Sequence, residues 1–267
     1  LPSERFVHNT DIGQNFLINR GIAERIVDAA QISPQDIVLE IGPGKGVLTR
    51  QILATPCKAL VAVELDRRLE EFLSPIAQQD PRLSLIWGDA LRLDLSRDIP
   101  FHPTKVVANL PYHITTPIVW KLLEELAPLG LVRMVLMVQR EAAMRMLQGA
   151  KGKDRSPLSV TLEAMGWVSK AISVPPGAFR PIPKVNSSVI RIDIDKNREL
   201  PTDPRWRRML KASFSQRRKN LLNNWQAAGI PREEGERRIE ALGLMANARA
   251  EELTLDQWLT LARGYEW

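Results

Sequence analysis

Between residues 20 and 193, short apolar runs alternate with stretches whose apolar residues recur every three or four positions. The runs 37–41, 59–65, 83–87, 105–108 and 132–138 read as strands, because they are brief, aliphatic and apolar on both faces. Between them the spacing predicts helices. One covers 20–31, with Ile22, Ile26, Ala29 and Ala30 on one face, and a second covers 47–54. A third follows a capping Asp66 and carries Leu69, Phe72, Leu73 and Ile76. A fourth opens at Thr116-Pro117 and stops at Pro128, and a fifth covers 140–147. Strands and helices in this rhythm predict an α/β fold, a largely parallel sheet with helices on both faces. A glycine- and lysine-rich loop, 148–156, is expected to be mobile. A helix at 157–165 follows, then strands at 167–174 and 187–193 with only a proline-dense turn between them, which predicts an antiparallel hairpin at the sheet edge.

The polar, proline-bearing stretch 196–204 predicts a boundary between an α/β domain, 1–196, and a helical domain, 197–267. Three helices are expected beyond it, at about 204–224, 232–242 and 255–264. On the first, Trp206, Leu210, Phe214 and Leu221 share a face, Arg207, Lys211 and Arg218 run along the flank, and Arg208 and Lys219 lie further round.

Charge sharpens that picture. Between 202 and 224 lie Arg205, Arg207, Arg208, Lys211, Arg217, Arg218 and Lys219 against the single acid Asp203, an excess equal to the whole chain's net charge of +6. A localised basic stripe points to a polyanion, with nucleic acid ahead of anionic membrane. Cys57 is the only cysteine, so no disulfide framework forms within the chain, and a reducing, cytoplasmic setting is expected. Three histidines and one cysteine have no zinc-ligand spacing, so no metal site is expected. Even the five-residue apolar run 134–138, matched in length by 59–63, is too short to span a bilayer, and no leader pattern is read in the opening residues.

Four successive strands end in residues able to do chemistry, at the edge where open α/β sheets bind ligands. Gly42-x-Gly44-x-Gly46 joins a strand to a helix, so bare backbone can approach a ligand at a positive helix end; a tight structural turn explains it equally well. Glu64 can accept from ribose hydroxyls or be solvated, and Asp89 can accept from an adenine amine or close an Asx turn. Together they suggest a cofactor carrying a nucleoside, either S-adenosyl-L-methionine or a dinucleotide. The fourth strand ends in Asn109-Leu110-Pro111-Tyr112. A nucleobase's exocyclic amine is a poor nucleophile because its lone pair is spread into the ring. Acceptors aimed at its two hydrogens favour the pyramidal form while an aromatic face holds the ring flat, and Asn109 and Tyr112 supply both. The plain alternative is an Asn-x-Pro turn closing a core strand.

These segments resemble the motifs of the rRNA adenine N6-dimethyltransferases. The resemblance rests on Gly13-Gln14-Asn15-Phe16-Leu17, Glu40-Ile41-Gly42-Pro43-Gly44-x-Gly46-x-Leu48-Thr49, Val63-Glu64-Leu65-Asp66, Gly88-Asp89-Ala90, Asn109-Leu110-Pro111-Tyr112 and Pro175-x-x-x-Phe179-x-Pro181-x-Pro183-Lys184-Val185-x-Ser187. Phe214-x-Gln216-Arg217-Arg218-Lys219 is more similar to the bacterial small-subunit enzymes than to resistance enzymes acting on large-subunit rRNA. The resemblance implies a Rossmann-like class I methyltransferase sheet of seven strands that binds S-adenosyl-L-methionine and dimethylates two adjacent adenosines near the rRNA 3′ end. By position it implies that Asn15, Leu17, Gly42, Gly44, Glu64, Asp89 and Asn109 hold or face the cofactor. Asn109 and the carbonyls of Leu110 and Pro111 would orient the target amine, and Tyr112 with Phe179 would sandwich the base. Arg207, Lys211, Arg217, Arg218 and Lys219 would meet rRNA within a pre-ribosomal small subunit, and the protein would act as a monomer. Two departures stand out: Asn9-Thr10-Asp11 where the family usually has basic residues, and Arg155-Ser156-Pro157 where it often has Tyr-Gly. A large-subunit resistance enzyme and an assembly factor acting mainly by binding are the competing readings.

Overall fold

A computed structural model describes residues 15–198 and 203–267. The departure at Asn9-Thr10-Asp11, the motif residues Gly13 and Gln14, and part of the expected linker lie outside the described residues. The first elements are β1 (Phe16–Leu17), α1 (Arg20–Ala30), β2 (Ile37–Ile41), α2 (Val47–Leu53), β3 (Ala59–Glu64), α3 (Glu70–Gln79), β4 (Leu83–Trp87), β5 (Lys105–Asn109), α4 (Thr115–Leu126) and β6 (Arg133–Gln139). After them come α5 (Arg140–Met146), α6 (Pro157–Met165), β7 (Gly166–Val174), β8 (Phe179–Arg180) and β9 (Ser187–Ile194), then the helices α7 (Pro204–Ser213), α8 (Leu221–Ala227), α9 (Arg232–Ala241) and α10 (Leu255–Gly264).

Seven strands form one sheet in the order β4-β3-β2-β5-β6-β9-β7, which agrees with the expected class I architecture. The five strands from β4 to β6 are parallel, whereas β9 runs antiparallel to β6. β7 is the edge strand and β9 inserts between it and β6. All six residues of β3 are buried, as expected for a strand covered on both faces. From β2 the chain winds one way through β3 and β4, then returns to lay β5 on β2's other side, so a crevice opens beyond the ends of β2 and β5. The register sets Ile41 beside Val63 and Ala108, Glu64 beside Trp87, and Asn109 beside Met137, so the functional ends share one edge. Beneath them Ile26, Ile52, Leu60, Leu73 and Val107 belong to a buried core.

The chain divides into two units, Leu1–Ala143 with Val168–Lys196, and Met144–Trp167 with Asn197–Trp267. The division at 196/197 expected from composition is thus only one of three crossings, the others at 143/144 and 167/168, because α6 and the loop before it fall in the same unit as the tail. Trp206 Nε1 donates to Thr161 Oγ1 at 2.8 Å, and buried Arg155 pairs with Glu163 at 2.6 Å and donates to the Leu253 carbonyl. The 148–156 loop, expected to be mobile, is therefore tied down: Lys151 N–H donates to the Glu251 carbonyl at 2.8 Å as well.

The first tail helix also differs. What periodicity read as one helix over 204–224 is α7 and α8, separated by a turn at 214–220. Asn224 is buried in that bend, accepting from Ser215 Oγ and Gln216 N–H and donating to the carbonyls of Ser213 and Gln216. Asn220 caps α8 through Asn223 N–H. Arg217, Arg218 and Lys219 consequently stand exposed in a turn instead of on a helix flank.

Candidate active site

The crevice holds a cavity of about 310 Å³, near the lower end of the range typical of small-ligand sites. It is lined from all four strand ends: Ile41, Gly42 and Gly44 after β2, Val63, Glu64 and Leu65 at β3, Gly88, Asp89 and Ala90 after β4, and Asn109 to Ile114 after β5. Asn15, Phe16, Leu69 and Leu91 complete the wall.

Gly42, Gly44 and Gly46 have φ of +68°, +58° and +77°. At Gly44 space forbids a side chain as well, since a Cβ would lie 2.9 Å from Phe16 Cδ1. The loop therefore presents backbone to the cavity. Glu64 braces it, with Oε2 accepting from Gly44 N–H at 3.0 Å and Oε1 from Asp66 N–H at 2.9 Å. Burial raises the Glu64 carboxyl above its ordinary range despite these bonds. Backbone N–H groups of Gly44, Asp66 and Leu65 face a carboxylate with about four lone-pair sites, so Glu64 can still accept from a ligand. Asp89 closes an Asx turn through Leu91 N–H at 2.9 Å and also lines the cavity, so the structural and the binding reading are compatible.

At the β5 end, Asn109 Nδ2 donates to the Asn15 carbonyl at 3.1 Å. With the amide's donor end engaged, Oδ1 is the end available to accept. Pro111 starts a short 3-10 turn, 112–114, and its carbonyl accepts from Ile114 N–H at 3.2 Å and Thr115 Oγ1 at 3.3 Å. Both lone pairs of that carbonyl are engaged, so the expectation that it orients a target amine does not fit. Tyr112 is half-buried, lines the cavity, and shares a hydrogen bond of 3.1 Å with Ser187 Oγ.

Two further expected residues lie elsewhere. Leu17 is absent from this wall and lines a small second cavity, which shares Phe16, Gly42, Gly44 and Asn109 with the first. Phe179 pairs with Leu17 in a two-stranded sheet and is 1% exposed within the core. A ring so enclosed offers no face to a base, which corrects the expected sandwich to a single aromatic plate, Tyr112. Sequence reasoning gave no role to Leu65, 54% exposed at the cavity wall, nor to Phe16, whose ring backs Gly44. The signal for Leu65 was available: a large apolar residue directly after a strand-end acid, where a solvated turn would favour polar ones.

In the helical unit, Arg207, Lys211, Arg217, Arg218 and Lys219 are all exposed. Arg217 is engaged by Asp154 at 2.6 Å and by the Lys153 carbonyl at 2.7 Å. No ion pair engages Arg218 or Lys219 among the described residues. Among those residues, too, no group of His, Cys, Asp and Glu could hold a metal, and no helix is long and apolar enough to cross a membrane.

Residues 5–266 match the family described as ribosomal RNA adenine dimethylase. The chain is 40% identical to a ribosomal RNA small subunit methyltransferase A of Geobacter metallireducens, over 95% of this chain and 94% of that one. It is 38% identical to the protein of the same name from Lachnoclostridium phytofermentans, over 98% and 93% respectively. Among solved structures, a dimethyladenosine transferase from Plasmodium falciparum superposes with a TM-score of 0.77 at 27% identity, covering 91% of this chain and 94% of that one. The 23S rRNA methyltransferase ErmE superposes with a TM-score of 0.69 at 26% identity, covering 93% and 98%.

Proposed function

The chain belongs to the ribosomal RNA adenine dimethylase family, and we propose that it uses S-adenosyl-L-methionine to dimethylate N6 of two adjacent adenosines near the 3′ end of small-subunit rRNA. The substrate is the rRNA of a pre-ribosomal small subunit in the cytoplasm, and the protein acts as a monomer. Choice of the small subunit is supported by identity of 37–40% over nearly the full length to relatives named for it. The exposed Arg217-Arg218-Lys219 turn supports it further.

The observation that carries the reading is the commitment of the Asn109 amide. Its Nδ2 is held by the Asn15 carbonyl, which leaves Oδ1 as an acceptor in the cavity that Tyr112 also lines. S-adenosyl-L-methionine supplies a methyl on a positively charged sulfur, a leaving group that needs no protonation. The cavity's build suits such a ligand: a glycine loop in which Gly44 has no room for a Cβ beside Phe16, a buried acid at β3's end, and apolar Leu65 and Ala90 beside it. Gly42, Gly44, Glu64 and Asp89 hold the cofactor, with Asn15 closing the wall and Leu17 supporting it from behind. Asn109 Oδ1, together with the Leu110 carbonyl, accepts the hydrogens of the adenine N6 and localises its lone pair. Tyr112 stacks on the extruded base and holds it flat. Extrusion costs a few kcal/mol, offset by stacking at roughly 1–3 kcal/mol. Catalysis is therefore positioning and electrostatics, with no tuned base required of His113.

Tyr112→Ala should cut methyl transfer by about 100-fold or more, measured with labelled cofactor and small subunits lacking the modification, while calorimetry finds cofactor affinity little changed. Near-normal transfer by that variant would contradict the assignment.

A further inference from the structure

Ser187 lies 75 positions from Tyr112 in the chain, yet the two hydroxyls are 3.1 Å apart. The sheet brings this about. Ser187 is the first residue of β9 and sits opposite Gln139, the last residue of β6, so it stands at the same edge as Asn109 at the end of β5. Ser187 is 2% exposed and does not line the cavity, so it reaches neither base nor cofactor. Its side-chain hydroxyl, buried away from bulk water, needs a partner, and Tyr112 provides it.

We infer that Ser187 is a positioning residue for methyl transfer, holding the Tyr112 ring in place as the plate on which the target adenine stacks. This rests on the role proposed above for Tyr112. A tyrosine is anchored at its Cα, and here the backbone is a short 3-10 turn. Alone, that anchor leaves the ring free to change rotamer about χ1 and swing off the cavity mouth. A hydrogen bond at the far end of the ring, from a strand of the central sheet, makes a two-point mount. The second anchor matters more because Phe179, enclosed in the core, supplies no opposing face. Ordering the plate before the base arrives reduces what stacking must spend on orientation.

The test is a double-mutant cycle on the whole protein with small subunits lacking the modification as substrate. Ser187→Ala and Tyr112→Phe should each lower kcat/KM by about 3- to 10-fold, the range of one net hydrogen bond. The double variant should be no slower than the slower single one, because each removes the same bond. Cofactor affinity by calorimetry should stay within about twofold in all three. A merely structural role for Ser187 would instead lower thermal stability and slow Tyr112→Phe further when the two are combined. Full activity in Ser187→Ala, or losses that multiply in the double variant, would overturn the inference. Tyr112→Phe keeps the test open if Ser187→Ala fails to fold: unchanged turnover in Tyr112→Phe also overturns it. Tyr112→Ala separates the levels, since near-normal transfer there removes the stacking role itself, whereas loss there with a silent Ser187→Ala removes only the mount.

Discussion

Gly44 excludes a side chain twice over, through a φ of +58° and through Phe16 standing 2.9 Å from where a Cβ would be. Left-handed backbone costs a non-glycine residue about 1–2 kcal/mol, and the displaced ring would push into the cavity wall. Gly44→Ala should therefore weaken cofactor affinity by about tenfold or more, measured by calorimetry; unchanged affinity would show that the loop does not cradle the ligand. Glu40, one residue before the loop's Ile41-Gly42, is a second case. It is buried, with Oε2 accepting from Thr49 Oγ1 at 2.7 Å and Oε1 unpartnered among the described residues. Burial pushes its carboxyl up to about 8 from the ordinary 4.5, with the charge on Glu64 adding to the effect and the Thr49 bond opposing it. A raised value means that the folded chain holds a proton the unfolded chain releases. Its stabilisation is complete below pH 4.5 and is lost as pH climbs to about 8. Glu40→Gln cannot titrate, so its melting temperature should gain on the parent's steadily between pH 5 and 8; a constant difference would contradict the assigned protonation. The strand-end residues Gly42, Gly44, Glu64, Asp89 and Asn109 were legible because motif and strand pattern coincide at each. Orientation was not. Nothing in sequence says that Pro111's carbonyl is used up by its own turn or that Phe179 turns into the core, since both depend on long-range packing.

At the scale of elements, the bend between α7 and α8 decides how the basic residues are presented. Asn224 satisfies four backbone and side-chain groups there, and removing it strands buried polar groups at about 1–3 kcal/mol each. Asn224→Ala should lower the melting temperature and weaken rRNA binding, with cofactor affinity unaffected; intact rRNA binding in a folded variant would mean that the turn's shape is unimportant. Salt dependence separates the three cations. Arg218→Ala should reduce the slope of log affinity against log salt by up to about 1, the value for one lost phosphate contact. Arg217→Ala should reduce it less, because Asp154 and the Lys153 carbonyl already compete for that guanidinium. Equal slopes in both variants would argue against this ranking. The apolar spacing of Trp206, Leu210, Phe214 and Leu221 hid the break: a stripe at helical intervals survives when one turn unwinds, and only the Ser215-to-Asn220 composition marks the bend. The strands were far easier, since 83–87 agrees residue for residue with β4.

Over the whole molecule, the chain crosses between its two units three times instead of once. Sequence marked the third crossing by the polar stretch after Lys196 but gave no sign of the first two, because α6 reads as one more short helix in the alternating pattern. Arg155, a departure from the family pattern, is explained at this scale: it ties its loop to Glu163 and to the Leu253 carbonyl within the helical unit. A chain ending at Lys196 should therefore be unstable or insoluble, because α6 would lose Trp206 and buried Arg155 its Leu253 partner; a melting temperature equal to the full chain's would contradict this. The link between this cavity and one substrate is tested by incubating the full protein and labelled S-adenosyl-L-methionine with small subunits lacking the modification, alongside large subunits, and mapping methylated nucleotides by mass spectrometry. The expected result is label in small subunits alone, as N6,N6-dimethyladenosine at two adjacent positions near the rRNA 3′ end. Label in large-subunit rRNA, or tight small-subunit binding without any methyl transfer, would contradict it.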